Sequence, residues 1–249
     1  MKHEKFDRAV KEVVAGLIST RSSEEGTVIT LPSIYPSGSP VMVRVSFDGN
    51  TCFVSDMGNA HFESELLGAT PRLFNTQVKD TIEEFGVHFD NHLFFALSVK
   101  PIKLAGAIRL VGAASNKAVV GVQSKLVEQT DRNLRGDLLD RLVNAYGAES
   151  VSKNVPFRGS SSHEWRFAGQ IQGRTGLILF DTATGSPNSV FSVHAKFSDV
   201  KLVKNSPRGV IAVPSFGQIK TDYRNLLQQT ANVIEISASD DVFKRLRAS

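Results

Sequence analysis

The 249-residue chain is 41% hydrophobic, contains one cysteine, Cys52, and carries a formal net charge of +4. This length allows one large or two modest globular domains, and a single cysteine excludes an internal disulfide framework and a cysteine-rich metal site. No apolar run approaches the ~20 residues that span a bilayer, and the charged start of the chain lacks the apolar core of an export signal. We therefore expect a cytoplasmic protein with no membrane partner.

Charge is distributed unevenly along the chain. Residues 1–120 contain 12 Lys and Arg against 13 Asp and Glu, whereas residues 121–249 contain 17 against 12. The second half is therefore mildly basic, which permits contact with a polyanion such as DNA or RNA. A basic surface also keeps many domains soluble, so charge alone does not decide between the two roles.

An amphipathic helix and an antiparallel sheet are the first predicted elements. Apolar residues recur at helical spacing as far as Ser19, and we expect this stripe to cover the sheet. The stripe consists of Phe6, Val10, Val13, Val14, Leu17 and Ile18. Three runs of β-type composition follow, at 27–31, 41–47 and 51–55, with Asp48-Gly49-Asn50 as a hairpin turn.

A helix and a short hairpin come next. The apolar spacing of residues 73–85 predicts a helix that ends at Gly86. Residues 87–89 and 93–97 predict two short strands joined at Asp90-Asn91, a dipeptide typical of tight turns.

Short motifs in this half resemble an uncharacterised bacterial and phage family, a domain of unknown function. The first motif, FVSDMGN at residues 53–59, is a strand that runs into a tight turn, followed by Leu66 and Gly68 near the end of a helix. The second is FGVHFD at residues 85–90. Ser55 stands where the family has threonine. The resemblance covers roughly residues 25–100 and implies a fold and a phage or mobile-element context, with no established activity.

The boundary between two domains is predicted near residues 113–116. Residues 101–118 combine spaced apolar residues with several alanines, and we interpret them as a helix that closes the first domain. This division gives an N-terminal α+β domain at 1–112 and a C-terminal α/β domain at 119–249.

The C-terminal half predicts a regular series of helices and strands. It begins with a long amphipathic helix at 123–146, which Gly147 ends. Further strands are predicted at 151–157, 164–171, 177–182, 209–213 and 233–236, and further helices at 190–203, 222–229 and 240–247. The predicted fold class is therefore α+β or α/β, with a small mixed sheet and helices in the first domain and an αβββαβ core in the second.

This element order resembles the PD-(D/E)xK nuclease superfamily. The resemblance implies an aspartate on the second strand and an acid-x-lysine on the third, because two carboxylates hold a divalent metal while a lysine helps activate water. Here Arg166 stands at the position of the first acid, and the third strand offers Asp181 but has Ala183 in place of the lysine. We therefore expect a degenerate, non-catalytic domain with no metal or other cofactor. The alternative is an active nuclease that uses Glu128, Glu164 and Asp181.

Two groups of residues with catalytic or ligating side chains have simpler interpretations. Residues 160–163, Ser-Ser-Ser-His, lack the surroundings of a nucleophile elbow, and we interpret them as a polar loop. His88, Asp90 and His92 have side chains that can bind metals, yet they straddle a predicted hairpin turn, so we expect no metal site there.

Basic residues of the second half suggest a binding surface. Arg166, Lys196, Lys201, Lys204 and Arg208 lie on or beside predicted strands and the helix between them, and a shared face would suit phosphates. The simpler interpretation is that they are solvated surface residues.

Three functional hypotheses follow from these patterns. The first is a phage or mobile-element protein that binds DNA, RNA or a host nucleic-acid-processing or defence complex through a degenerate nuclease-like domain, without catalysis. The second is the active metal-dependent nuclease. The third is a regulatory protein that binds only protein partners.

Overall fold

A computed structural model describes residues 2–248, except for the side chains of residues 2–5 and 48. The chain is a mixed α+β protein with two β-sheets, which confirms the predicted fold class. It divides into two compact units, Met1–Leu126 and Val127–Ser249. Each unit contains one of the sheets and its own core.

The N-terminal unit is built on a six-stranded antiparallel sheet with the strand order β1-β2-β3-β4-β6-β5. Its strands are β1 (Ser19–Ser23), β2 (Gly26–Ile34), β3 (Pro40–Asp48), β4 (Thr51–Ser55), β5 (His88–Asp90) and β6 (Leu93–Val99). Its helices are α1 (Lys2–Ala15), α2 (Asn59–Leu66), α3 (Pro71–Phe85) and the first part of α4 (Leu104–Tyr146), which follows a 3-10 turn at Pro101–Lys103. Both hairpin turns and the end of α3 at Gly86 are as predicted from the sequence.

The core of this unit forms between the sheet and α4. Val41, Val43 and Val45 alternate along β3 with their side chains buried, as expected for a strand with one covered face. A Cβ atom at Gly112 of α4 would collide with the end of the Leu31 side chain, which would have to shift, and would contact Val41 and Val43 at 3.7 Å. Glycine at this position therefore lets the helix pack closely on the sheet.

The predicted packing of α1 on the sheet is wrong. The six residues of the predicted apolar stripe are 43% to 68% exposed, and two of them, Leu17 and Ile18, lie beyond the end of α1. The side chains of α4 already occupy the sheet face that the stripe was expected to cover. The sequence pattern also missed β1, whose residues Ser-Thr-Arg-Ser-Ser have no apolar alternation and are all exposed.

One helix replaces the two that the sequence predicted at 101–118 and 123–146. α4 runs without interruption for 43 residues, so residues 113–116 lie inside a helix and Ser115 is fully buried. The division between the two units falls later, between Leu126 and Val127. Alanines at buried positions weaken the contrast between apolar and polar residues, which made the helix look as if it ended early. Independent folding of 1–112 and 119–249 stays a prediction.

The C-terminal unit is built on a five-stranded sheet with the strand order β11-β10-β9-β8-β7. Its strands are β7 (Val151–Arg158), β8 (Glu164–Gln172), β9 (Leu177–Thr182), β10 (Arg208–Val213) and β11 (Asn232–Glu235). Its helices are the second part of α4, α5 (Pro187–Lys201), α6 (Thr221–Gln228) and α7 (Asp240–Ala248), with a 3-10 turn at Ala148–Ser150. β7, β8 and β9 are antiparallel, whereas β9, β10 and β11 are parallel. The predicted order of helix, three strands, helix and strand is confirmed.

Helices cover both faces of this sheet. One core packs residues of α4 and α7 on the sheet, and its members include Leu138, Leu142, Tyr146, Phe180 and Phe243. The other packs residues of α5 and α6 on the opposite face, and its largest members are Phe167, Leu179, Phe197 and Ile211. Across residues 2–248, no helix combines the length and the apolar character that crossing a membrane requires.

Candidate functional site

Asp181 lies where two strands of the C-terminal sheet separate. The ladder between β8 and β9 extends to the pair Gly169–Phe180, whereas β9 stays paired with β10 at Asp181 itself. A gap therefore opens beside Asp181 at the carboxyl end of β9, and side chains from α4 and α5 enter it. In open α/β sheets, ligands commonly bind at such openings at the carboxyl ends of strands.

Two cations neutralise the Asp181 carboxylate. Oδ1 accepts hydrogen bonds from Arg135 Nη2 at 2.9 Å and from the Thr182 amide at 3.0 Å. Oδ2 accepts one from Lys196 Nζ at 2.9 Å. Lys196 Nζ also donates to the carbonyl of Arg166 at 3.1 Å. Because Asp181 is only 1% exposed, its charge needs these partners, and a metal ion would have to bind beside two cations that already neutralise it.

A polar cleft of about 340 Å³ surrounds this group of charges. Its lining residues, called the cationic cleft below, are Asp131, Arg132, Arg135, Asp181, Thr182, Asn188, Ser189, Ser192, Val193 and Lys196. Three cationic side chains face two carboxylates, which leaves a formal surplus of one positive charge. Asn188 and Ser189 belong to the first turn of α5, whose N-terminal end carries partial positive charge. The charges and the helix end together favour an anionic ligand.

The second carboxylate of the cleft was not among the predicted acids. Asp131 Oδ1 accepts a hydrogen bond from Ser189 Oγ at 3.4 Å and lines the cleft with Asp181. Glu128 and Glu164 are exposed and do not line it, so the structure does not bring the three predicted acids together. The spacing of Asp131 and Arg135, four residues apart and thus on one helix face, was the signal that could have found this face of α4.

The five predicted phosphate-binding residues divide between the two ends of the sheet. Arg208 pairs with Ile178 near the start of β9. Gly169 of the antiparallel β8 pairs with Phe180 near the end of β9, and Arg166 lies three residues before Gly169. The main-chain carbonyl of Arg166 accepts a hydrogen bond from Lys196 at the carboxyl end of β9. The Arg166 side chain lies on the other face of β8 from Trp165 and Phe167, which pack with α5, so it does not share a face with Lys196.

The other three predicted residues lie towards the amino end of β9 and β10. Lys201 Nζ donates to the carbonyl of Gln229 at 2.8 Å, and Arg208 Nη2 donates to the carbonyl of Leu246 at 3.0 Å. Both side chains therefore satisfy carbonyl groups near the ends of neighbouring helices. Lys204 is exposed in the loop between α5 and β10.

The serine-rich loop before β8 is held by Asp199 of α5. The Asp199 carboxylate accepts hydrogen bonds from the Ser161 amide at 2.7 Å, the Ser161 hydroxyl at 2.6 Å and the Trp165 indole at 2.7 Å. The Ser161 hydroxyl, followed by the Trp165 indole, lowers the pKa of Asp199 below its ordinary value. His163 packs edge-on against Trp165, with ring centroids 4.4 Å apart. The serine donates directly to the carboxylate and not to the histidine, which is not a nucleophile–base arrangement.

Trp165 is the only tryptophan, so its fluorescence reports on this loop. Because the folded pKa of Asp199 lies below the unfolded value of 3.8, the carboxylate keeps its hydrogen bonds from neutral pH down to that value. As the pH falls further, through the folded pKa, the carboxylate is protonated and these bonds weaken. We expect the Trp165 emission to change in that window in an acid titration. In Asp199→Ala the emission at pH 7 should already resemble that of the acidified protein, and a wild-type spectrum at pH 7 would contradict the assignment.

A buried carboxylate also organises the N-terminal unit. Asp56 is 0% exposed, and its Oδ1 accepts hydrogen bonds from the amides of Gly58 at 3.0 Å and Phe94 at 2.9 Å. Its Oδ2 accepts from the Ala60 amide at 3.1 Å and the Ser115 hydroxyl at 2.8 Å. Burial raises the pKa of Asp56, and these four hydrogen bonds oppose the rise. Asp56 thus ties the start of α2 to β6 and α4.

Tyr35 completes this hydrogen-bond network. Its hydroxyl lies 2.6 Å from Ser115 Oγ. Because the single hydroxyl proton of Ser115 is donated to Asp56, Tyr35 is the donor in this second bond. Burial raises the pKa of Tyr35, so the phenol keeps the proton that it donates. The FVSDMGN motif therefore has a structural role, in which Met57 and Gly58 adopt positive φ angles of 58° and 78° at the turn.

The histidines of the β5–β6 hairpin have packing roles. The His92 ring packs on His61, with centroids 3.9 Å apart, and His88 packs on Phe95 at 5.5 Å. Asp90 Oδ2 accepts a hydrogen bond from the neighbouring Asn91 side chain at 3.1 Å. Within residues 2–248, no group of three His, Cys, Asp or Glu side chains is placed to hold a metal ion.

Neither a protein-family model nor a curated protein matches this chain.

Proposed function

We propose that the C-terminal unit binds DNA or RNA through its phosphates at the cationic cleft, in the cytoplasm, and does not cut it. The observation that carries this proposal is the neutralisation of Asp181 by Arg135 and Lys196, both at 2.9 Å, which leaves surplus positive charge beside the N-terminal end of α5. Phosphate groups commonly bind where cationic side chains and a helix N-terminus meet.

Arg132 and Arg166 are the side chains best placed to meet a nucleic-acid backbone. Both are exposed. Arg132 lines the cleft on α4, and Arg166 lies on β8, where its main-chain carbonyl accepts the hydrogen bond of Lys196 and its side chain stays exposed. Arg135 and Lys196 are engaged by Asp181 and supply the underlying positive field. A ligand phosphate would therefore bind first to the exposed Arg132 and Arg166 and then contact Arg135 and Lys196.

Replacing Arg132 and Arg166 together by alanine tests this proposal. Each phosphate that a protein neutralises releases roughly 0.9 counterions from duplex DNA, so the log–log salt slope of binding should become shallower by about two. Affinity should fall for all sequences alike, because phosphate contacts do not read bases. The measurement is fluorescence anisotropy with labelled DNA and RNA between 50 and 200 mM salt.

Lys204→Ala is the matched control, since it removes an exposed charge from the other end of the sheet. We expect it to leave the slope unchanged. A larger effect of Lys204→Ala than of the double variant would place the binding surface at the amino end of β9. If the wild-type protein binds neither DNA nor RNA even at low salt, the proposal is wrong, and a host protein complex becomes the partner to seek.

An active metal-dependent nuclease is the alternative function. It is favoured by one observation, that Asp131 and Asp181 line the same cleft as Lys196. Magnesium can bind through two carboxylates and substrate phosphates. Against this role, each Asp181 oxygen already accepts a hydrogen bond from a cation, and these two positive charges would repel a metal ion.

We therefore expect no magnesium- or manganese-dependent cleavage of single-stranded or double-stranded DNA or RNA. The assay should compare the wild-type chain with Asp131→Asn, because Asp131 is only partly buried and the variant is expected to fold. Cleavage by the wild type that is lost in Asp131→Asn would establish nuclease activity and contradict the proposal that the protein binds nucleic acid without cutting it.

A further inference from the structure

Two exposed phenylalanines lie at the same end of the C-terminal sheet as the cationic cleft. Phe191 belongs to α5, which follows β9, and is 54% exposed, whereas Phe197 of the same helix is 2% exposed in the core. Phe216 lies in the loop between β10 and α6 and is 37% exposed. Because β9 and β10 are parallel, the segments that follow their carboxyl ends meet at one end of the sheet. Ligands commonly bind at this end of open α/β sheets.

Each of these rings contacts a side chain of α6. The Phe191 ring packs edge-to-face on Tyr223, with centroids 5.9 Å apart and an interplanar angle of 71°. Arg224 lies over the Phe216 ring, with Cζ 5.2 Å from its centroid. Lys220, just before α6, places Nζ 5.6 Å from the Tyr223 centroid. The five residues, called the aromatic patch below, therefore combine three rings with two cations.

Main-chain hydrogen bonds hold the aromatic patch in place. The Phe216 amide donates to Glu235 Oε1 at 2.5 Å, which fixes the loop that carries this ring. The Tyr223 amide donates to Asp222 Oδ1 at 3.0 Å. Arg224 Nε has no hydrogen-bond partner within residues 2–248. The guanidinium of Arg224 therefore lies on an aromatic ring and can pair with an anionic ligand.

The aromatic patch adjoins the cationic cleft along α5. Asn188 and Ser192 line the cleft, and Phe191 lies three residues after Asn188 and directly before Ser192. Side chains three residues apart on a helix are neighbours, with Cβ atoms ~5–6 Å apart. A polyanion bound at the cleft can therefore reach the patch directly, because one helix carries residues of both.

We infer that the nucleic acid of the proposed function is single-stranded, and that its bases stack on Phe191 and Phe216 while its phosphates bind the cationic cleft. The inference rests on the proposed binding of nucleic acid at that cleft. Aromatic side chains bind single strands of any sequence, because every base has a π face. In a duplex the bases stack on one another and present only their edges in the grooves. A duplex can therefore contact the cleft but cannot stack on the aromatic patch.

Fluorescence anisotropy with labelled single strands and duplexes of equal length tests this inference on the full chain. We expect Phe191→Ala to weaken single-strand binding at least about 5-fold and duplex binding less than about 2-fold, since only the single strand loses a stacked base. Phe191→Trp keeps an aromatic face and should retain single-strand binding. Leu202→Ala is the matched control, because Leu202 is 76% exposed just beyond the other end of α5, and it should change neither affinity.

Photo-cross-linking of the wild-type chain locates the bases without any substitution. A single strand that carries iodouracil should cross-link to peptides containing Phe191, Phe216 or Tyr223, as mass spectrometry can show. Cross-links confined to other peptides would overturn the inference. Equal affinity for single strand and duplex, with no effect of Phe191→Ala on either, would also overturn it and leave nucleic-acid binding at the cleft intact. A wild-type chain that binds neither form would refute the proposed function, and this inference with it.

Discussion

Replacing Asp181 by alanine should lower the free energy of unfolding of the C-terminal unit by about 3 kcal/mol, because Arg135 and Lys196 would lose the buried carboxylate that neutralises them. The expected value is at the lower end of the range for a broken buried ion pair. Arg135 and Lys196 side chains are 35% and 18% exposed, so water relieves part of their cost. Urea denaturation followed by Trp165 fluorescence reports this unit, because the only tryptophan lies in β8.

Arg135→Ala is the informative comparison for this prediction. Lys196 still neutralises Asp181 in that variant at 2.9 Å, so we expect a loss of about 1 kcal/mol. Asp181→Asn should fall between the two, since the amide oxygen still accepts one hydrogen bond but the charge is gone. A loss below about 1 kcal/mol in Asp181→Ala would mean that the charge group contributes little to stability.

Asp56→Ala should destabilise the N-terminal unit by about 4 kcal/mol. The change leaves the amides of Gly58, Ala60 and Phe94 and the hydroxyl of Ser115 without their acceptor, and each buried unpaired donor costs about 1–3 kcal/mol, though the costs do not add fully. Far-UV circular dichroism in urea measures the effect. The transition of the N-terminal unit should move to lower urea, while the transition that Trp165 fluorescence reports for the C-terminal unit stays in place.

Ser115→Ala provides the graded control for Asp56. It removes one of the four donors and the acceptor of Tyr35, and we expect a loss of about 2 kcal/mol. If Asp56→Ala costs no more than Ser115→Ala, the backbone hydrogen bonds to the carboxylate are replaced by water, and the network is less important than its burial indicates.

The strands of the C-terminal unit could be predicted from the sequence because their signals are local. β9 has the predicted bounds, Leu177–Thr182, and β8 differs from its prediction by one residue. Each is an apolar run bounded by turn residues, so the pattern is contained within about ten residues. The same reasoning failed for α1, because an amphipathic pattern predicts that a helix has an apolar face but not which surface covers it.

The charge group around Asp181 could not be predicted in full. Asp131, Asp181 and Lys196 come from three elements, and the three residues lie 15 to 65 positions apart in sequence. Their meeting depends on the direction of each side chain and on the packing of α4 and α5 against the sheet. The hydrogen bond between Tyr35 and Ser115 joins residues 80 positions apart and has no sequence signal either. Such contacts are set by tertiary packing, which periodicity does not encode.

Asp181 has a consequence for the kinetics of any anion that enters the cationic cleft. Its carboxylate is a permanent internal competitor, because a ligand phosphate must share or displace the hydrogen bonds of Arg135 and Lys196. Each such bond gained by the ligand is partly offset by one lost within the protein, so the net gain is small and dissociation is fast. A site of this kind favours brief contacts along a polyanion over long residence at one position, as when a protein slides or hops along DNA.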